Sequence, residues 1–165
     1  MSVEMQTKSA VMEGMSDHPA VKALTAVSAI WKPEWFTDAK HDRGELTVSV
    51  APEAICAAAR QLQAAGYNFF EDMTAVDWFP AEPRFQLSYH LLSHKFKEHI
   101  RLRTFVGDAI DSITSVWPSA NFYEREVFDL FGVRFNGHPN LVRIMLPDEF
   151  DGHPLRKDYP VEGYR

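Results

Sequence analysis

Two hydrophobic periods divide the chain. Val21, Leu24, Val27 or Ser28, and Trp31 recur at helical spacing, between Pro19 in a first turn and Pro33 as a stop. A short strand is expected around Trp35 to Thr37, then a turn at Asp42-Arg43-Gly44. Leu46, Val48 and Val50 alternate as in a half-buried strand. Pro52 opens a second helix lined by Ile55, Ala59 and Leu62 and closed by Gly66. Tyr67 to Trp78 reads as extended, Phe85 to Leu91 alternates, and Ile100, Leu102 and Thr104 alternate again, predicting an antiparallel meander. Ile110, Ile113 and Val116 predict a helix over Asp108–Val116, which Pro118 breaks.

The helical period returns at Asn121 to Phe131. On a wheel, Tyr123, Val127, Phe128, Leu130 and Phe131 share one side, and Arg125, Glu126 and Asp129 the other. Glu124 falls inside the apolar side, where a lone charge is costly. Two partners are open to it: the Asn121 backbone in a capping box, or Arg143 or Arg156 in a buried ion pair. Arg125 and Asp129 stand four apart, a weak exposed pair by default. Gly132 is the expected stop.

Beyond it, Pro139, Pro147, Pro154 and Pro160 forbid a continuous helix. Val142, Ile144, Met145, Leu146, Phe150, Leu155 and Tyr159 are too apolar for a disordered tail. The pattern predicts an extended strap along a surface, its own domain's or a partner's, with a reach of up to about 80 Å for residues 137–160.

The expected fold is α+β: a two-layer α/β sandwich (helix, two strands, helix, three strands, mixed sheet), then short helices and an extended C-terminal strap. Residues 1–16 read as a mobile tail, 17–118 as the α/β domain, 119–132 as a helix and 133–165 as a docking segment. Residues 1–16 have no apolar core and do not resemble a signal peptide.

Composition narrows the chemistry. A net charge of -6 argues against nucleic acid as a partner. No apolar run reaches the length of a membrane span. Cys56 is the only cysteine, so this chain alone makes no internal disulfide and no four-cysteine zinc or iron–sulfur site. Cys56 itself reads as a small buried hydrophobe. The eight glycines never form G-x-G, which excludes a dinucleotide fingerprint or P-loop. His90 and His94, read on a strand, stand about 13 Å apart and cannot share an ion. His138 and His153, with Glu126, Asp129 and Asp148 near in sequence, are the alternative site, that of a small stand-alone hydrolase or lyase.

Glu124-Arg125-Glu126-x-x-Asp129-Leu130-Phe131-Gly132, the steps Gly137-His138-Pro139 and Gly152-His153-Pro154, and Leu155-Arg156-Lys157-Asp158-Tyr159-Pro160 together resemble the 30 kDa subunit family of respiratory complex I, the C-type subunit of NADH-quinone oxidoreductase. Leu46 to Trp117 resembles the family's α/β domain more loosely, with Thr74 to Trp78 and Trp117 to Asn121 as the clearest pieces. The family usually has a second basic residue beside Arg143, where this chain has Val142. The resemblance implies a non-catalytic structural subunit of the peripheral arm of a proton-translocating enzyme, inactive alone. It implies no catalytic, cofactor-binding or metal residue in this chain, with FMN, iron–sulfur clusters and quinone in partner subunits. The implied partners are the 49 kDa-type chain (the D-type subunit) and cluster-bearing subunits. The implied location is peripheral, on the cytoplasmic side of the inner membrane in a bacterium. Framework or interface roles then fall on Glu124, Arg125, Glu126, Asp129, Gly132, His138, Pro139, Arg143 and the run Gly152, His153, Pro154, Leu155, Arg156, Lys157, Asp158, Tyr159 and Pro160.

Overall fold

The computed structural model describes residues 17, 35–43 and 45–163. The helix expected over Pro19 to Trp31 and the tail 1–16 lie outside the described residues.

Two strands, β1 (Phe36–Asp42) and β2 (Glu45–Val50), form a hairpin. A 3-10 turn at Pro52–Ala54 leads into α1 (Ile55–Ala65). Proline at the start suits an N–H-free first turn. Gly66 ends α1 at φ 119°, its N–H donating back to the carbonyls of Leu62 and Gln63. The meander follows as β3 (Phe69–Asp77), β4 (Phe85–Ser93) and β5 (Glu98–Val106). The sheet order is β1-β2-β5-β4-β3, and only β2–β5 is parallel. The crossover from β2 to its parallel neighbour β5 runs through α1 and the first two strands of the meander. This is the predicted α+β mixed sheet with helices on one face.

That face carries the core. Leu46 and Val48 of β2, Phe85, Leu87 and Leu91 of β4, and Ile100 and Leu102 of β5 pack with Ile55, Ala58 and Leu62 of α1. The other face is polar. There Arg101 reaches Thr47 and Glu45, and Arg103 reaches Ser49 and Asp38, so guanidinium groups roof the short hydroxyls.

The helix predicted over Asp108–Val116 is not formed. Ala109–Asp111 is a short strand, β6, followed by a turn to Trp117. Ile110, Ile113 and Val116 are all buried as expected, but a strand and a turn place them there. The competitor is non-local: β7 (Arg134–Asn136), just after the last helix, pairs with β6 in parallel. The segment expected to be extended from residue 133 thus begins with a strand. Between β6 and β7 lies α2 (Ala120–Phe131), packed against β3 and ended by Gly132 at φ 77°.

Candidate functional site

The site is α2 with the segment that wraps it. Glu124 is fully buried. Its Oε2 accepts the Ser112 hydroxyl at 2.6 Å and its Oε1 the Ile113 N–H at 2.8 Å. Neither expected partner is used. The helix starts at Ala120 with Ser119 as its cap and no side-chain capping bond, and Arg143 and Arg156 bond elsewhere. The β6–α2 turn reaches Glu124 first, because β6 is held beside β7. Burial pushes the Glu124 carboxyl up to about 7, against the two hydrogen bonds.

Asp129 corrects the helical wheel. It stands on the predicted polar side, yet it is fully buried, because the strap covers that side. Its Oδ2 accepts the N–H groups of Ile144, Met145 and Leu146 at 2.9, 2.8 and 2.9 Å. Its Oδ1 takes Arg143 Nη1 at 2.6 Å. Burial raises this carboxyl, but these bonds together hold it below the usual carboxylate range. Arg125 does not pair with it. Arg125 donates instead to the carbonyls of Val142 and Arg143.

The two Gly-His-Pro steps are staples. His138 Nδ1 accepts the Asn140 N–H, so Nε2 carries the proton and donates to the Asn121 carbonyl at 3.2 Å. The His138 side chain is fully covered, 4.0 Å from Glu124. His153 Nδ1 donates to the Asp129 carbonyl at 2.8 Å. The histidines therefore hold carbonyls at opposite ends of α2, about 12 Å apart along its axis. They do not converge on one site. Among the described residues, no three His, Cys, Asp or Glu side chains are grouped as metal ligands would be. His90 and His94 belong to β4 and the turn after it, as a strand there requires.

Gly132 is required twice over. Its φ is left-handed, and a Cβ there would lie 2.6 Å from His153 Cδ2 and 2.8 Å from Arg156 Nη2. The helix end is bare so that these two side chains can close on it. Arg156 Nε donates to the Phe131 carbonyl at 2.6 Å, and the Leu155 N–H to that of Leu130. Both satisfy carbonyls that a helix end leaves open.

The strap's last stretch is fastened by residues for which the sequence suggests no role. Asp77, 3% exposed at the end of β3, accepts two bonds from Arg84 and the N–H groups of Phe79 and Lys157. Arg84 also takes both oxygens of Asp158, at 3.0 and 2.6 Å. The Arg84 bonds come first in holding Asp77 well below the usual carboxylate range. A signal exists: Asp77 is in phase with buried Met73 and Ala75. Gly152 offers its carbonyl to Arg143, Tyr159 stacks on Phe150, and the Pro160 carbonyl accepts Gly163. Glu126 and Pro139 are exposed.

With the Arg143 side chain and the N–H groups of Ile144, Met145 and Leu146 turned inward, the strap leaves Val142, Ile144, Met145 and Leu155 outward, at 44%, 39%, 62% and 51% exposure. Among the described residues, cavities open on the polar sheet face, lined by Lys40, Thr47 and Arg101, and a smaller one lies on the strap among Gly152, His153, Arg156, Asp158 and Tyr159.

Fold and site together define an α+β domain that binds its own C-terminal segment and shows apolar side chains along it. Residues 48–165 match the family model of the respiratory-chain NADH dehydrogenase 30 Kd subunit, and the chain belongs to that family. It is 47% identical over 130 residues to the C-type subunit of NADH-quinone oxidoreductase from Citrifermentans bemidjiense, covering 76% of this chain and 81% of that one. For the same subunit of Roseiflexus castenholzii the figures are 41% over 151 residues, 88% and 85%. A trypsin-resistant fragment (1-134) of Nqo5 aligns with a TM-score of 0.58 and 32% identity, over 62% of this chain and 88% of the fragment. A chain of the membrane-bound sulfane sulfur reductase, an archaeal respiratory membrane complex, aligns with a TM-score of 0.72 and 25% identity, over 85% and 82%. No helix among the described residues is long and apolar enough to cross a membrane.

Proposed function

We propose that this chain is a non-catalytic structural subunit in the peripheral arm of a proton-translocating NADH-quinone oxidoreductase, inactive alone. FMN, iron–sulfur clusters and quinone are held by its partners. Its strap docks on the 49 kDa-type chain and fixes that neighbour relative to the cluster-bearing chains. In a bacterium the assembly faces the cytoplasm at the inner membrane. Electron transfer depends on the partner geometry that this contact maintains.

The observation that carries the reading is the division of labour in the strap. Arg125, Asp129, Arg143, Arg156 and Asp158 are engaged within the chain, while Val142, Ile144, Met145 and Leu155 face outward. Contiguous exposed apolar surface marks protein contacts. The framework roles of Glu124, Gly132, His138 and Arg156 belong to the same reading.

The test is a mild-detergent purification of the tagged native protein with mass spectrometry. Co-purification of cluster-binding subunits and a 49 kDa-like chain, with donor-linked quinone reduction in the complex and none in the lone chain, is expected. Recovery of the chain alone would reject the proposal.

A further inference from the structure

We propose that Asp129 pre-forms the strap's outward turn on the chain before assembly, so that Val142, Ile144 and Met145 meet the neighbouring subunit in positions they already hold. This rests on the docking reading above and makes Asp129 a positioning residue for it.

Three consecutive N–H groups, of Ile144, Met145 and Leu146, point at a single oxygen of Asp129. Such a backbone nest is the concavity in which proteins hold anions. Here the chain's own carboxylate fills it. Arg143 closes the other oxygen and extends the tie, its Nη2 donating to the carbonyls of Phe150 and Gly152 at 3.0 and 3.1 Å. Arg125 holds the turn's first carbonyls, of Val142 and Arg143, at 3.0 and 2.9 Å. Backbone donors and acceptors thus face α2, and the alkyl side chains are left on the opposite side.

A short apolar segment would gain by folding inward. It stays outward because the inner side is taken by polar groups that are costly to strand. The occupant that suits it is an apolar surface on another subunit of the complex, since the turn's own charges are already satisfied within the chain. Ordering a free loop on contact weakens binding, and a loop ordered beforehand avoids that loss.

The experiment has two readouts on the full chain. The first is amide hydrogen exchange of the isolated protein. Ile144, Met145 and Leu146 amides are expected to be protected, and Asp129→Asn to lower that protection roughly tenfold or more while β4 and β5 amides are unchanged. The second is titration of the chain into membranes from a strain of the source organism that lacks it, followed by donor-linked quinone reduction. Asp129→Asn is expected to raise the half-saturating concentration roughly tenfold and reach the same plateau. Arg143→Gln, which leaves α2 intact, shifts both readouts the same way if Asp129→Asn proves too unstable to use. Unprotected amides in the native chain, or variants that titrate like it, would overturn the proposal. Met145→Asp separates the two readings: it keeps the amides protected but impairs titration. If it titrates normally, the docking surface itself is wrong.

Discussion

Glu124 and Asp129 sit five residues apart on one helix, both fully buried, with opposite proton affinities. Glu124 receives two hydrogen bonds and no cation, which does not offset its desolvation. Asp129 receives three N–H bonds and a guanidinium, which does. A carboxyl whose folded pKa is about 7, against 4.5 when free, favours the fold at low pH and loses that advantage as pH rises between those values. The loss amounts to about 3 kcal/mol at about 1.4 kcal/mol per pKa unit. Glu124→Gln keeps the shape and cannot ionise. Denaturant titrations at pH 5 and pH 8 should show the native chain weaker at pH 8 and the variant nearly level. An equal drop in the variant would reject Glu124 as the source. At Gly132, alanine meets a left-handed backbone and two side chains at once. Gly132→Ala should cost more than about 1 kcal/mol and raise exchange at the Leu155 and Arg156 amides. Unchanged melting would show that His153 and Arg156 do not need the bare helix end.

Among the elements, the strap is tied to the sheet through the β3–β4 turn. Arg84 joins Asp77 of β3 to Asp158 of the strap and lies over the rings of Phe79 and Phe85. Arg84→Ala leaves a buried carboxylate with only N–H partners, at a cost on the order of 3 kcal/mol. Exchange at Lys157 should rise in that variant, while the Asp129 nest, which shares no residue with this tie, keeps its protection. Loss of protection at both places would mean that the strap detaches as one unit. The family resemblance implied an interface with another chain for Arg156 and Asp158. In the fold they fasten the strap to its own domain, so under the proposed docking alanine at either position is expected to lower co-purification with the partner subunits through the strap's placement.

For the molecule as a whole, the buried acids oppose each other along the pH axis. Asp77 and Asp129, held below their free value of 3.8, stabilise the fold above that pH and lose this as pH falls through their folded values. Glu124 removes stability between 4.5 and about 7. The contribution of these three groups therefore peaks near pH 4–5, and Glu124→Gln should broaden the peak toward neutrality. Melting temperatures across pH 3 to 8 measure this. A native optimum already at pH 7 or above would contradict the balance.

What the sequence by itself determined was whatever depends on local period and punctuation. The alternation in β2, β4 and β5, the stripe Ile55, Ala59 and Leu62, and the stops at Gly66 and Gly132 are properties of neighbouring residues, so they were legible. The family motif was legible too, because its residues lie together in the chain. Tertiary structure decided the partners. Strand β6 displaced a helix because β7, more than twenty residues later, offers a parallel edge. The wheel put Asp129 in water because a wheel contains no strap. Glu124 bonds to Ser112, and Asp77 to Lys157 across 80 residues, since a buried carboxylate is satisfied by whichever donor the fold brings near, and sequence distance does not enter that choice.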